Sequence, residues 1–336
     1  MEEKLGSPTW AVALTAAEPA ALVLANVAHH LATGAAEVFV FLDVENADLS
    51  RTLSAHPRVT VENCDADYWT RVNGRRPKLH TTRQKLNLAE VRTRCDWLLN
   101  IDADEFLWCE EEFTQILARV PDSKGWLKIL TRERRRIAGR TPLDIFEGVF
   151  VAREGEALAL TDGGFTGHVV GKSCVRMGRG YELRLHSPQQ AGEEKWVPRE
   201  VSQDAVLLHF DGLTPLHWAS KLLLRAQLGP EMVRKNYHNK RRLQIVKAAQ
   251  AVPDIAEIEA LQTRLASVAE GADALEVDLD LARKVAFAFS DAKVDLSVAS
   301  FDAIIRPRVD EMMTKVEPND PEWEALAQTV LKREKG

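Results

Sequence analysis

Short apolar runs recur along the first hundred residues. Residues 9–15 (Thr-Trp-Ala-Val-Ala-Leu-Thr), 37–42 (Glu-Val-Phe-Val-Phe-Leu) and 59–61 (Val-Thr-Val) are too short for helices and read as buried strands. Between them, helix-like patterns run from Pro19 to about Thr33, with Gly34 as the stop, from about 47 to 55, and from about 81 to 94. A further apolar run, Trp97-Leu98-Leu99-Asn100-Ile101, ends in Asp102, Asp104 and Glu105. Strands alternating with helices predict a parallel, doubly wound sheet. Three strands close on an acid, at Asp43, Asp65 and Asp102. Ligands of such sheets bind beyond the carboxyl ends of the strands, so the repetition predicts one acid-lined crevice there.

Downstream, residues 125–131 read as another strand. Residues 132–180 are irregular and glycine-rich, with short strands at 148–152 and 173–176, and the stretch Thr166 to Lys172 stands out. A strand at 206–208 runs into His209, Phe210 and Asp211. From Leu216 the pattern is helical, over 217–228, 231–252 and amphipathic pieces to about 332. The expected division is a domain over residues 1–228, with a nucleotide-binding half at 9–108 and an acceptor half at 109–228. A helical extension over 229–336 would serve as a cap or a homodimer surface, and a chain ending near Val252 would retain nucleotide binding.

Composition narrows the class. The chain has 336 residues, 45% of them apolar, and a net charge of -6 with dispersed basic residues, which argues against a nucleic-acid binder. Arg132-Glu133-Arg134-Arg135-Arg136 is the one dense basic run and reads as a solvated face or as a contact to an anionic substrate. Cys64, Cys95, Cys109 and Cys174 form no Cys-x-x-Cys pair, so neither a zinc ribbon nor a disulfide framework is expected. Met1-Glu2-Glu3-Lys4 lacks the charge pattern of a signal peptide, and no apolar run reaches membrane-span length. The expectation is a cytoplasmic protein, at most peripheral to a membrane.

The paired acids carry the chemistry. If the strand continued through them, Asp102 and Asp104 would point to one face. Neighbouring carboxylates repel unless a cation lies between them, and a divalent ion with oxygen ligands is the simplest candidate. No glycine-rich dinucleotide turn follows the first strand, where the chain reads Ala16-Ala17-Glu18-Pro19, and no phosphate-cradling Gly-Lys-Ser/Thr loop exists. Any phosphates would need a metal and cationic side chains.

Taken in order, these pieces resemble a nucleotide-sugar glycosyltransferase, family-2-like and of the A-type fold, in the branch with an Asp-x-Asp-Glu-Phe motif, here Asp102-Ala103-Asp104-Glu105-Phe106. The resemblance covers about residues 9–228. It includes Glu18 through His29-His30 to Gly34, Asp43 with Asn46 and Asp48, Arg83-Gln84-Lys85, the segment Gly171 to Arg176 with His186, and His209-Phe210 followed by Lys221 and Arg225. It implies an α/β fold with a mostly parallel sheet flanked by helices and a C-terminal helical region. It also implies a Mn²⁺- or Mg²⁺-dependent, inverting transferase of polysaccharide biosynthesis, taking a nucleotide-diphosphate sugar to a glycan or lipid-linked acceptor.

On that resemblance Asp104 would ligate the metal directly, Asp102 would reach the ribose or the metal through water, and His209 would be a third ligand, while Lys172, Lys221 and Arg225 would add positive charge on the leaving group. Asp43 and Asp65 would meet the base or ribose, Gln84 and Lys85 the donor, and His186 the acceptor. The Glu-Asp pair that carries the base in many such enzymes has no clean counterpart, since Glu193-Glu194 and Glu200 lie in another context. Glu105, Glu147 and Asp211 remain as candidate bases, and Glu105 could instead hold its loop. A nucleotidyltransferase and a non-catalytic nucleotide-sugar-binding protein are the competing readings. The first usually needs a glycine-rich loop that Ala16-Ala17-Glu18 does not supply, and the second would not need the acid pair.

Overall fold

The computed structural model describes residues 6–153, 160–167, 169–193, 195–252 and 254–333. The chain forms two compact units. The first comprises residues 1–131, 170–209 and 278–294, and the second 132–169, 210–277 and 295–336. The boundary at 228 expected from sequence falls inside the second unit, and residues 278–294 of the presumed extension belong to the first.

The first unit opens with β1 (Trp10–Ala16), α1 (Ala20–Ala32), β2 (Glu37–Leu42), α2 (Ala47–Ser54), β3 (Val59–Asn63), α3 (Ala66–Asn73), α4 (His80–Glu90) and β4 (Trp97–Ile101). It continues with β5 (Glu105–Cys109), α5 (Phe113–Ala118) and the first half of β6 (Trp126–Ile137). The second unit begins in the rest of β6 and includes β7 (Val149–Val151). The chain then returns to the first unit for β8 (Lys172–Arg176), β9 (Tyr181–Glu182), β10 (Gln189–Gln190) and β11 (Arg199–His209).

Beyond that come α6 (Pro215–Ala226), α7 (Pro230–Asn236), α8 (Asn239–Gln250), α9 (Ile255–Leu265) and β12 (Ser267–Val268) of the second unit. They are followed by α10 (Leu281–Ala288) of the first unit and by α11 (Val298–Met313) and α12 (Pro321–Arg333) of the second.

Strand order in the main sheet is β3-β2-β1-β4-β8-β6-β11-β5. The run β3-β2-β1-β4 is parallel, as the alternation of strands and helices requires. β8 then pairs antiparallel with β4 and with β6, and β11 antiparallel with β5. The fold is therefore α/β, with the carboxyl ends of β1, β2, β3 and β4 on one edge, where ligands of such sheets bind. α1 is buried nearly all round, from Ala21 to Leu31, which fits its near-continuous apolar sequence. It packs beside β5 and against α10.

Three differences from the sequence pattern have local causes. α3 is a two-turn helix made possible by Asp65, whose Oδ1 accepts from Tyr68 N at 2.8 Å, and by Gly74 at its left-handed end. The predicted helix over 231–252 breaks at Tyr237, which is extended, giving α7 and α8. The basic run is no solvated face: Arg134 and Arg135 lie inside β6 and are 3% exposed each. Arg134 donates to Gly212 O (2.6 Å) and Leu213 O (3.1 Å), and Arg135 pairs with Glu133 at 2.7 Å. Burial first, and then the like charges of Arg136 and Arg135, push the Arg134 guanidinium down to about 9. None of the four cysteines forms a disulfide, and among the described residues no helix is long and apolar enough to cross a membrane.

Candidate active site

All five residues of β4 are buried, and the strand stops at Ile101 where the acids begin. Asp102, Ala103 and Asp104 form a turn, not the last residues of a strand. The strand-face argument for the pair therefore does not apply. The turn is closed on itself instead: Glu105 N donates to Asp102 O (3.1 Å), and Asp102 N donates to Glu105 Oε2 (2.8 Å). Glu105 is fully buried in this loop-holding position.

Both oxygens of Asp102 are engaged. Gln84 Nε2, from α4, donates to Oδ1 at 2.7 Å, and Lys172 Nζ, from the start of β8, to Oδ2 at 2.7 Å. Lys172 also lies 3.4 Å from Glu105 Oε2. Burial alone would weaken its hold on a proton, but Asp102, Glu105 and Asp104 together outweigh that and raise it above the ordinary lysine range. Lys172 is therefore a buried, charged ammonium.

Asp104 reaches toward β11. His209 closes β11 in register with Glu105 of β5, which sets its Nε2 3.7 Å from Asp104 Oδ2, with both side chains buried. At that separation the two are not hydrogen-bonded to each other. A carboxylate oxygen and an imidazole nitrogen so placed suit two ligands of one divalent ion. Among the described residues no third acid, histidine or cysteine completes a cluster. With an imidazole beside a carboxylate, this donor set suits Mn²⁺ better than Mg²⁺, and such an ion would take its remaining ligands from outside the protein.

The turn is held from behind by α1. Asn26, fully buried, donates from Nδ2 to Ala103 O (3.0 Å) and Glu105 O (2.7 Å). One helical turn on, His29 Nε2 contacts Leu107 O at 2.7 Å, and Leu107 N donates to His30 Nε2 at 3.2 Å. His30 Nδ1 contacts Asn26 O at 2.8 Å, and Lys284 of α10 reaches His29 Nδ1 at 3.2 Å. These partners assign a neutral Nε2–H tautomer to His29 and a neutral Nδ1–H tautomer to His30. Burial is the main reason that both stay neutral, carrying His30 down to about 4 and His29 well below its ordinary value. The histidine pair thus ties α1 to β5. Asn26 was not foreseen from sequence, although a lone amide inside an otherwise apolar helix is a legible signal.

Asp43, at the end of β2, is 7% exposed and paired with Arg83 (2.7 Å) and Arg76 (3.1 Å), and Arg83 in turn donates to Pro77 O and Lys78 O. Asp65 caps α3, Asn46 caps α2, and Lys85 is exposed. His186 Nδ1 is 3.1 Å from Gly171 O, one residue from Lys172.

Asp211, Lys221, Arg225 and Glu147 belong to the second unit. There Asp211 accepts from Trp218 Nε1 (3.1 Å) and faces Arg241 (3.4 Å). Arg225 donates to Lys221 O, and Glu147 Oε2 accepts from Leu143 N. His168, within the Thr166 to Lys172 stretch, and Glu194 lie outside the described residues.

No family model matches the chain, and no match is found among curated proteins. Among solved structures, the chain is similar to S. aureus TarS residues 1–349, with a TM-score of 0.37 and 13% identity over 98% of this chain and 92% of that one. It is also similar to the apo structure of the bifunctional glycosyltransferase WbbM, with a TM-score of 0.26 and 13% identity over 38% of this chain and 24% of that one. For HddC from Yersinia pseudotuberculosis the TM-score is 0.30 and the identity 10%, over 60% of this chain and 93% of that one. Likeness this distant leaves the activity to be argued from the site itself.

Proposed function

We propose that the protein is a metal-dependent glycosyltransferase of the A-type fold, moving a sugar from a nucleotide-diphosphate sugar to a glycan or lipid-linked acceptor. The observation that carries this reading is the locked acidic turn at the carboxyl end of β4, with Asp104 facing His209. Asp104 and His209 would hold Mn²⁺ or Mg²⁺, whose contribution is Lewis-acid stabilisation of the departing nucleoside diphosphate. Glu105 and Asn26 keep the turn in one shape, so that Asp104 is presented without reorganisation. Asp43, fixed by Arg83, and the neighbouring Arg76 place polar and cationic groups beyond β2, a position suited to the nucleoside end of the donor. His186, anchored beside Lys172, is a candidate for orienting the acceptor.

The test is release of nucleoside diphosphate from a panel of nucleotide sugars, with Mn²⁺, with Mg²⁺ and with EDTA. At least one donor should be hydrolysed slowly, with loss of the reaction in EDTA and in Asp104→Asn. Pyrophosphate release from a nucleoside triphosphate and a sugar phosphate would instead identify a nucleotidyltransferase. A folded protein that binds donors without turnover under any condition would identify a binding protein.

A further inference from the structure

Lys172 sets a fixed positive charge against Asp102 and Glu105 of the acidic turn. It opens β8 directly after Gly171, whose φ of +74° and approach to Ile129 O leave no room for a side chain: a Cβ there would lie 2.3 Å from that carbonyl. The backbone is thereby brought tight against β6, and the Lys172 side chain, 2% exposed, ends among the acids. A buried ammonium and the fully buried Glu105 carboxylate would each be costly alone; with the partly exposed Asp102 they satisfy one another.

We infer that Lys172 is the resident counter-cation of the acidic turn, neutralising Asp102 and Glu105, so that Asp102 is a positioning residue and the divalent ion is met by Asp104 and His209. The geometry is specific on this point. Asp102 has one oxygen on Gln84 and the other on Lys172, whereas Asp104 is turned toward His209. The turn keeps its shape with no metal bound, because its cation is covalently part of the chain. The inference rests on the proposed function only for the identity of the ion, and its tests use no sugar donor.

Mn²⁺ alone is titrated against the full-length protein, with free Mn²⁺ read by electron paramagnetic resonance, and urea unfolding is followed in parallel. Asp104→Asn should weaken Mn²⁺ binding by more than about a hundredfold, beyond the cost of losing an outer-shell partner, while Asp102→Asn stays within that outer-shell range. Lys172→Met should tighten Mn²⁺ binding by about tenfold, since a repulsive charge close to the ion is removed and two carboxylates are released. A lysine with a merely structural role would not raise metal affinity.

Should Lys172→Met fail to fold, the double variant Lys172→Met/Glu105→Gln, which removes the buried cation together with its fully buried anion, should recover a soluble protein with a measurable urea midpoint. Loss of Mn²⁺ binding in Asp102→Asn as complete as in Asp104→Asn overturns the inference. So does weaker binding in Lys172→Met, or a double variant no more stable than the single one. If the wild-type protein binds no Mn²⁺ at all, the metal reading falls, and recovery of stability in the double variant alone decides the role of Lys172.

Discussion

Replacing Asn26 by leucine is the most direct test of how the acidic turn is supported. Leucine has the branched shape of asparagine, though it is bulkier, and suits the buried face of α1, so the helix should persist. What disappears is the Nδ2 donor to Ala103 O at 3.0 Å and to Glu105 O at 2.7 Å. Each buried carbonyl deprived of its donor costs about 1–3 kcal/mol. The substitution also removes the Asn26 Oδ1, a buried acceptor without a partner among the described residues, and recovers about one such penalty. The net loss should be about 1–3 kcal/mol. Asn26→Asp keeps the size but sets a carboxylate against the same two carbonyls, so it should be the more damaging of the two. Urea unfolding followed by near-ultraviolet circular dichroism measures both, and Mn²⁺ affinity should fall in parallel as the turn loosens. Wild-type midpoints in both variants, or Asn26→Asp more stable than Asn26→Leu, would refute the argument.

Three further outcomes follow from the first unit. His30 is neutral in the fold with its proton affinity carried down to about 4, so below its ordinary value of about 6.5 the unfolded chain binds the extra proton first. Stability should therefore fall from about pH 6.5 toward about pH 4, by on the order of 3 kcal/mol from this group, and His30→Gln should flatten the urea-midpoint profile across that window. Gly171→Ala should destabilise by at least about 1–3 kcal/mol through its positive φ alone, with a further loss from the clash with Ile129 O, seen as a lowered melting temperature. A chain ending at Val252 should lose stability in the first unit, because it lacks α10 and the Lys284–His29 contact; retention of the wild-type amide-exchange protection in α1 would argue otherwise.

Much of the first unit could be read from hydrophobic patterning because β1, β2 and β4 are buried on both faces and α1 is nearly all apolar. β2 matches the apolar run 37–42 residue for residue. The antiparallel part of the sheet was less legible. β6 carries Arg132, Arg134, Arg135 and Arg136 in a strand, and β11 begins with Arg199, Glu200 and Gln203, so the apolar run covers only part of each. The buried arginines of β6 find partners that only the assembled chain supplies, whereas the charged start of β11 is largely exposed. The site, too, depends on the assembled chain. Asp102, Asp104 and His209 are visible as strand-end residues and Glu105 as a residue that could hold the loop, but the turn that separates the two acids also depends on Lys172 and Asn26 arriving from elsewhere in the sequence. Likewise, no local pattern indicates that Lys284 returns to a histidine of the first helix.

That return has a consequence for how the protein is made. On the ribosome, α1 emerges long before α10, with about 250 residues between the end of one and the start of the other. At synthesis rates of roughly 5–20 residues per second, the face of α1 that α10 covers waits for about 12–50 s. Until then that face is an apolar surface available to chaperones or to another nascent chain. The unit that bears the acidic turn is therefore the first to begin folding and among the last to be sealed, and synonymous changes that slow translation between residues 33 and 280 should lower soluble yield without altering the finished protein.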